Sequence, residues 1–207
     1  PEDVLPFMRN ATRGRGIPDE RLVEVSGHYS IFGGVSPINE RNDELMDALG
    51  AALRDRGIDV PIVIGNRNWT PFLPDTFTEL AASGARRVLA LATAGYASYS
   101  GCRQYREDIA AALTKTGVEL QIDKVGSFAE TDGFITANVD SLRDALAVAV
   151  GSPRVVFVTH SIPSAMDAAS GPGGDNTYAA QHARVAAAIA ARVGLDDARW
   201  EIAYCSR

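Results

Sequence analysis

Short apolar runs rich in β-branched residues punctuate the chain at residues 61–65, 87–93, 118–122, 154–159 and 201–204. Most are continuous rather than alternating, which is the pattern of strands covered on both faces in a parallel sheet. Between them the apolar positions fall at helical spacing. Within residues 39–56, Leu45, Leu49 and Leu53 recur every four, after Ser36-Pro37 and before Gly57, so a helix is predicted there. Residues 75–82, 102–113 and 139–150 read the same way, and the Ala-rich stretch 177–193 sets Val185 and Ile189 four apart. This β-α-β-α rhythm predicts an α/β fold with doubly wound parallel sheets. No low-complexity linker and no close internal repeat divides the chain. The least patterned stretch, residues 124–133, is the expected place for a domain boundary, and a Gly-rich loop at 169–176 interrupts the pattern again. Loops at the carboxyl ends of parallel strands are where α/β proteins keep their sites.

Composition narrows this picture only in part. The 207 residues carry a formal net charge of −6, which argues against a nucleic-acid binder held by phosphate contacts. Hydrophobic residues at 46% and charged residues at 22% describe a globular chain, not a disordered one. No apolar run approaches the ~18 residues of a membrane span. The opening Pro1-Glu2-Asp3 is not a secretory leader, and Cys102 and Cys205 have neither disulfide-framework nor metal-pair spacing, so a cytoplasmic location is expected. An opening without Met and a strand-like close at residues 200–207 predict a processed or partial chain with a continuation missing.

The signatures of dinucleotide, P-loop, zincin, Cys-x-x-Cys and serine-hydrolase sites are absent. Four other segments carry candidate chemistry. His160 follows the run 154–159 and precedes Ser161-Ile162-Pro163, so it projects from the carboxyl end of a strand. An imidazole there can ligate a metal or act as a base near neutral pH, or serve as a structural histidine. His28 and His182 have no metal-like spacing to it. Gly33-Gly34-Val35-Ser36-Pro37 provides free backbone N–H groups and a capping hydroxyl that suit an acidic ligand group, or an ordinary capped turn. The stretch 93–105 brings Tyr96, Ser98, Tyr99, Arg103 and Tyr105 out of a strand into a helix, suited to a flat ligand with polar edges or to surface aromatic packing. Arg13 and Arg15 in the loop 12–18 suit carboxylate recognition or a solvated basic loop. Cys102, with no His-Asn partner evident, reads as a small packed residue.

Taken in order, several segments resemble the ferrochelatase family, and within it the actinobacterial enzymes that act on coproporphyrin III. They are residues 12–18, His28-Tyr29, residues 32–39, Gly65-Asn66-Arg67-Asn68-Trp69 with Pro71-Phe72, residues 99–108 and Thr159-His160-Ser161-Ile162-Pro163. The resemblance implies two similar Rossmann-like halves, residues 1–125 and part of a second at 126–207, with a porphyrin cleft between them. It implies insertion of Fe²⁺ into coproporphyrin III, by a monomer of the haem pathway with no membrane span and no nucleic-acid partner. His160 takes the place of the family's catalytic histidine and metal ligand. Ser36, Tyr105, Arg13 and Tyr29 fall in its substrate-contacting segments.

The departures define further expectations. His28 stands where some relatives carry Arg, and Cys205 where close relatives carry Gln. The family's glutamate partner of the histidine would lie beyond residues 204–207, and its first strand before Pro1. The resemblance therefore implies a piece lacking both, and a poor catalyst as it stands. Some relatives hold a [2Fe–2S] cluster through one mid-chain cysteine and three near the C-terminus. Ala137 occupies the mid-chain position, so no cluster and no other cofactor is expected. The other readings are a chelatase for a different divalent metal and a porphyrin- or haem-binding module that inserts none.

Overall fold

The computed structural model describes residues 2–31, 33–170 and 177–205, with the Ser30 side chain outside that description. Phe32, residues 171–176 of the predicted Gly-rich loop, and Ser206-Arg207 lie outside the described residues. The chain divides into two compact units: Pro1–Arg86 with Ala111–Leu120, and Arg87–Ala110 with Gln121–Arg207.

The first unit is built on α1 (Val4–Ala11), α2 (Asp19–Ile31), α3 (Ile38–Arg54) and α4 (Leu73–Ala82). The pattern along the chain predicts the last two and misses the first two. α2 interleaves its apolar residues with charge and buries only Leu22 among its described side chains. α1 turns Met8 inward and sets Phe7 edge-on against Trp69, with ring centroids 6.4 Å apart. Asn10 Nδ2 then donates to the Asn68 carbonyl at 3.2 Å. That loop is closed by the Asn66 N–H donating to Pro71 O at 2.7 Å and the Leu73 N–H donating to Asn66 O at 3.0 Å.

One expectation is corrected here. Residues 61–65 form no ladder among the described residues, and Val63 is half exposed. A strand exists only through a hydrogen-bonding neighbour, and this apolar run has none of those described. It is held instead from one side, where the buried Thr76 donates from Oγ1 to Ile64 O at 3.1 Å.

The second unit contains both sheets. β1 (Arg87–Ala90) pairs in parallel with β2 (Gln121–Lys124), and β3 (Val155–His160) pairs in parallel with β4 (Trp200–Cys205). This is the expected α/β class with parallel strands. β2 begins three residues later than the run 118–122, and Leu120 is buried just before it.

A π-helix at Tyr99–Gln104 leads into α5 (Tyr105–Thr116). The remaining α-helices among the described residues are α6 (Asp132–Val148), α7 (Ser164–Ala168) and α8 (Tyr178–Val193). Thr131 and Thr177 cap α6 and α8 with their hydroxyls, and Gly194 ends α8 in the left-handed region at φ +79°.

The core forms where α6 meets α8: Ile135 and Val139 face Val185 and Ile189, with Ala129 fully buried. From the sheet side Phe157 packs on this cluster. β3 alternates strictly, with Val155, Phe157 and Thr159 turned inward and Val156, Val158 and His160 exposed. A continuous apolar run predicts cover on both faces, but the α6–α8 layer covers one.

Candidate active site

His160 is the last residue of β3, in register with Cys205 of β4. It is exposed, and its ring makes no hydrogen bond among the described residues. The backbone around it is held from two sides. The Ser161 N–H donates to Cys205 O at 2.8 Å, and the Tyr178 hydroxyl donates to the His160 carbonyl at 3.1 Å. Beside this strand end lies a pocket of about 180 Å³ lined by Ser161, Ile162, Tyr178 and Tyr204 among others. It is smaller than the ~300–1,000 Å³ of ordinary ligand sites, so it cannot alone enclose a macrocycle.

The first two turns of α8 organise the region. Tyr178, Gln181 and His182 are spaced i, i+3, i+4, so they share one face of the helix, continued by Val185 and Ile189 into the core. Gln181 is 2% exposed, and its Oε1 accepts the Ala97 N–H at 3.0 Å. This ties α8 to the segment that leads into the π-helix. His182 stacks on Tyr96, with centroids 3.6 Å apart and planes 14° from parallel. Tyr96 in turn meets Phe134 edge-on. Burial pushes the Tyr96 phenol up and the His182 imidazole down from their ordinary pKa values.

The three leading amides of α8 are all satisfied internally. Tyr178 N–H donates to Ser170 Oγ at 2.7 Å, Ala179 N–H to Asp167 Oδ1 at 2.9 Å, and Ala180 N–H to Thr177 Oγ1 at 3.3 Å. These three amides leave an anion no free donor, so among the described residues this helix start is a structural joint.

Tyr105, half-buried, opens α5 directly after the π-helix. Ser98 Oγ caps that turn by accepting the Gly101 N–H at 2.9 Å. A Cβ at position 101 would lie 3.0 Å from the Tyr96 carbonyl oxygen, so any other residue would press on the turn. Arg103 is exposed but bonded to Glu107 at 2.9 Å, and Glu107 also accepts from the Tyr99 hydroxyl at 3.1 Å. Those donors hold the Glu107 carboxyl below its ordinary pKa. That bond uses Nε, so a ligand carboxylate at Arg103 would share the guanidinium with Glu107. α8 thus holds both segments of this unit that carry expected site residues, the His160 strand end directly and the Tyr105 segment through Ala97.

In the first unit, Tyr29 lies in the last turns of α2 and is exposed. Gly33 and Gly34 follow at φ +77° and +66°, and the Gly34 N–H returns to Tyr29 O at 2.8 Å. This closes α2 and brings Ser36 round to the start of α3, where its hydroxyl accepts the Ile38 N–H at 3.3 Å. Tyr29 and Ser36 therefore belong to one connected turn. Arg13 is exposed beyond the end of α1 and donates to Asn10 Oδ1 at 2.8 Å.

Among the described residues no group of three or more His, Cys, Asp or Glu side chains gathers as a metal cage. Nor is any of their helices long and apolar enough to cross a membrane.

A family model described as Ferrochelatase matches residues 1–207. The chain is 48% identical to the coproporphyrin III ferrochelatase of Streptomyces coelicolor, over all of this chain and 59% of that protein. It is 46% identical to the protein of the same name from Leifsonia xyli, over all of this chain and 58% of the relative. The corresponding Tropheryma whipplei protein is 40% identical, again over all of this chain and 57% of the relative. The chain therefore spans under three fifths of the length of these curated relatives.

Proposed function

We propose that this chain, which belongs to the ferrochelatase family, forms the histidine-bearing part of an enzyme that inserts Fe²⁺ into coproporphyrin III in haem biosynthesis. The observation that carries the reading is the placement of His160. It is an exposed imidazole at the carboxyl end of a parallel strand, backbone-anchored on both sides, in a chain matched to the family along its whole length.

Metal insertion requires that protons leave the pyrrole nitrogens and that the metal be handed to them. A neutral imidazole can accept the proton or ligate the incoming ion. Iron is here a substrate, met by His160. The family resemblance assigns porphyrin contact to Tyr105, Arg13, Tyr29 and Ser36. A guanidinium recognises a propionate bidentately, and a capping hydroxyl at a helix start adds a polar partner. Four carboxylates on coproporphyrin can use more of these groups than two.

We place the protein in the cytoplasm as a monomer. Cluster assembly draws on four thiolates, whereas these residues hold only Cys102 and Cys205 with Ala137 at the mid-chain position, so they assemble no iron–sulfur centre by themselves.

The test is Fe²⁺ insertion into coproporphyrin III, followed by loss of free-porphyrin fluorescence, in the protein and in His160→Ala. A positioned acid–base group contributes ~10²–10⁴-fold, so the variant should lose at least that much. Full activity in His160→Ala would remove the central residue from the mechanism. Equal affinity for a dicarboxylate porphyrin would remove the substrate assignment, and porphyrin binding with no insertion would make the protein a binding module.

A further inference from the structure

The hydrogen bonds behind the His160 strand end form a directed chain. The Tyr178 carbonyl can only accept, so His182 Nδ1, 2.9 Å away, is the nitrogen that carries the proton. The ring is half-buried between Tyr96 and Tyr178, and that burial favours its neutral form. Nε2 is then an acceptor, and the Thr159 hydroxyl donates to it at 2.8 Å. With its proton committed, Thr159 Oγ1 accepts from the Tyr178 hydroxyl at 2.7 Å. The same phenolic proton also faces the His160 carbonyl at 3.1 Å. The Tyr178 hydroxyl is therefore pinned between the side chain of residue 159 and the backbone of residue 160.

We propose that Thr159, Tyr178 and His182 are positioning residues that set the direction in which His160 leaves the end of β3. This rests on the reading of His160 as the reacting group. The argument is one of constraint. The His160 ring has no bond of its own among the described residues, so its aim is set by the backbone that carries it. That backbone is fixed on the sheet side by β4 through the Ser161 N–H, and on the helix side by the Tyr178 hydroxyl. Tyr178 is itself oriented by Thr159, and Thr159 by His182. A reacting group must be held within about 0.5 Å of its productive position, and a 1 Å misplacement costs on the order of 10²-fold. Purely structural packing would need none of the four hydroxyl and ring-nitrogen bonds, since Tyr96, Tyr178 and His182 already meet through their rings.

Three variants separate positioning from packing. Tyr178→Phe keeps the ring contacts and deletes only the hydroxyl. Thr159→Val is nearly isosteric and deletes the link to His182. Thr159→Ser keeps the hydroxyl. In Fe²⁺ insertion into coproporphyrin III, Tyr178→Phe and Thr159→Val should lower kcat about tenfold, with KM for the porphyrin changed less than about twofold. Thr159→Ser should restore most of that loss. Unchanged kcat in the first two variants overturns the proposal, as does a Thr159→Ser variant no better than Thr159→Val.

A second readout needs no catalysis. The His160 ring resonances should shift in Tyr178→Phe and Thr159→Val, and the Ser161 amide should exchange with solvent at least about tenfold faster. If the unsubstituted protein inserts no metal, the functional reading fails and this readout alone decides the network. Unchanged His160 resonances and Ser161 exchange would then overturn it.

Discussion

Replacing Gln181 with Met tests the joint between α8 and the segment that carries the π-helix. Met has nearly the length and helix propensity of Gln, so α8 itself should form unchanged. The Ala97 N–H, on a residue 3% exposed, would lose its acceptor on a residue 2% exposed. A buried donor left unpaired costs ~1–3 kcal/mol. The thioether buries somewhat more apolar surface than the amide, which at ~25 cal/mol per Å² returns under ~1 kcal/mol. The net expectation is ~1–2 kcal/mol of destabilisation, which for a chain of this size lowers the melting temperature by ~2–8 °C. Thermal unfolding followed by circular dichroism measures this directly. Hydrogen exchange locates it, because the Ala97 amide should lose protection before the core amides of α6 and α8 do. Arg154→Met supplies the contrast. It removes a pair with Glu201 whose two side chains are 56% and 51% exposed, and such pairs contribute under ~1 kcal/mol. The reasoning fails if Gln181→Met melts at the wild-type temperature with Ala97 still protected, or if Arg154→Met costs as much.

Burial holds the His182 imidazole below the ~6.5 it would have unfolded, so between those two values the unfolded chain binds the extra proton. Stability should therefore fall as pH drops from about 7 through the histidine range. His182→Gln should flatten that part of the curve, and a slope unchanged in urea melts would count against the assignment. Ile189, 3% exposed in the α6–α8 core, should cost ~2–5 kcal/mol when cut to Ala. Ile31, 76% exposed, should change stability by less than ~0.5 kcal/mol when cut to Ala, and matching losses at the two sites would refute the placement of the core.

The elements legible from the chain are those whose cause is local. Val185 and Ile189 four apart, with Thr177 in front and Gly194 behind, define α8 wherever it packs. The run at residues 154–159 marks β3 and leaves His160 at its carboxyl end. The motif order from residue 12 to residue 163 carries the family resemblance, because it needs only residue identity and sequence order. Pairing is not local. Residues 61–65 are as apolar as β1, yet they form no ladder among the described residues, because a strand is completed by a neighbour that its own sequence does not contain. The same limit hid the groups behind His160. Tyr178, Gln181 and His182 sit at i, i+3, i+4, a spacing visible in the chain, but nothing there says that Thr159, Tyr96 and Ala97 would face them. The π-helix at Tyr99–Gln104 turns on a hydroxyl from Ser98 and on a carbonyl packed tightly against Gly101, and neither leaves a hydrophobic period to read. Periodicity records which face of an element is buried, whereas the partner across that face is chosen by chain closure over distances of up to 84 residues, as between Ala97 and Gln181.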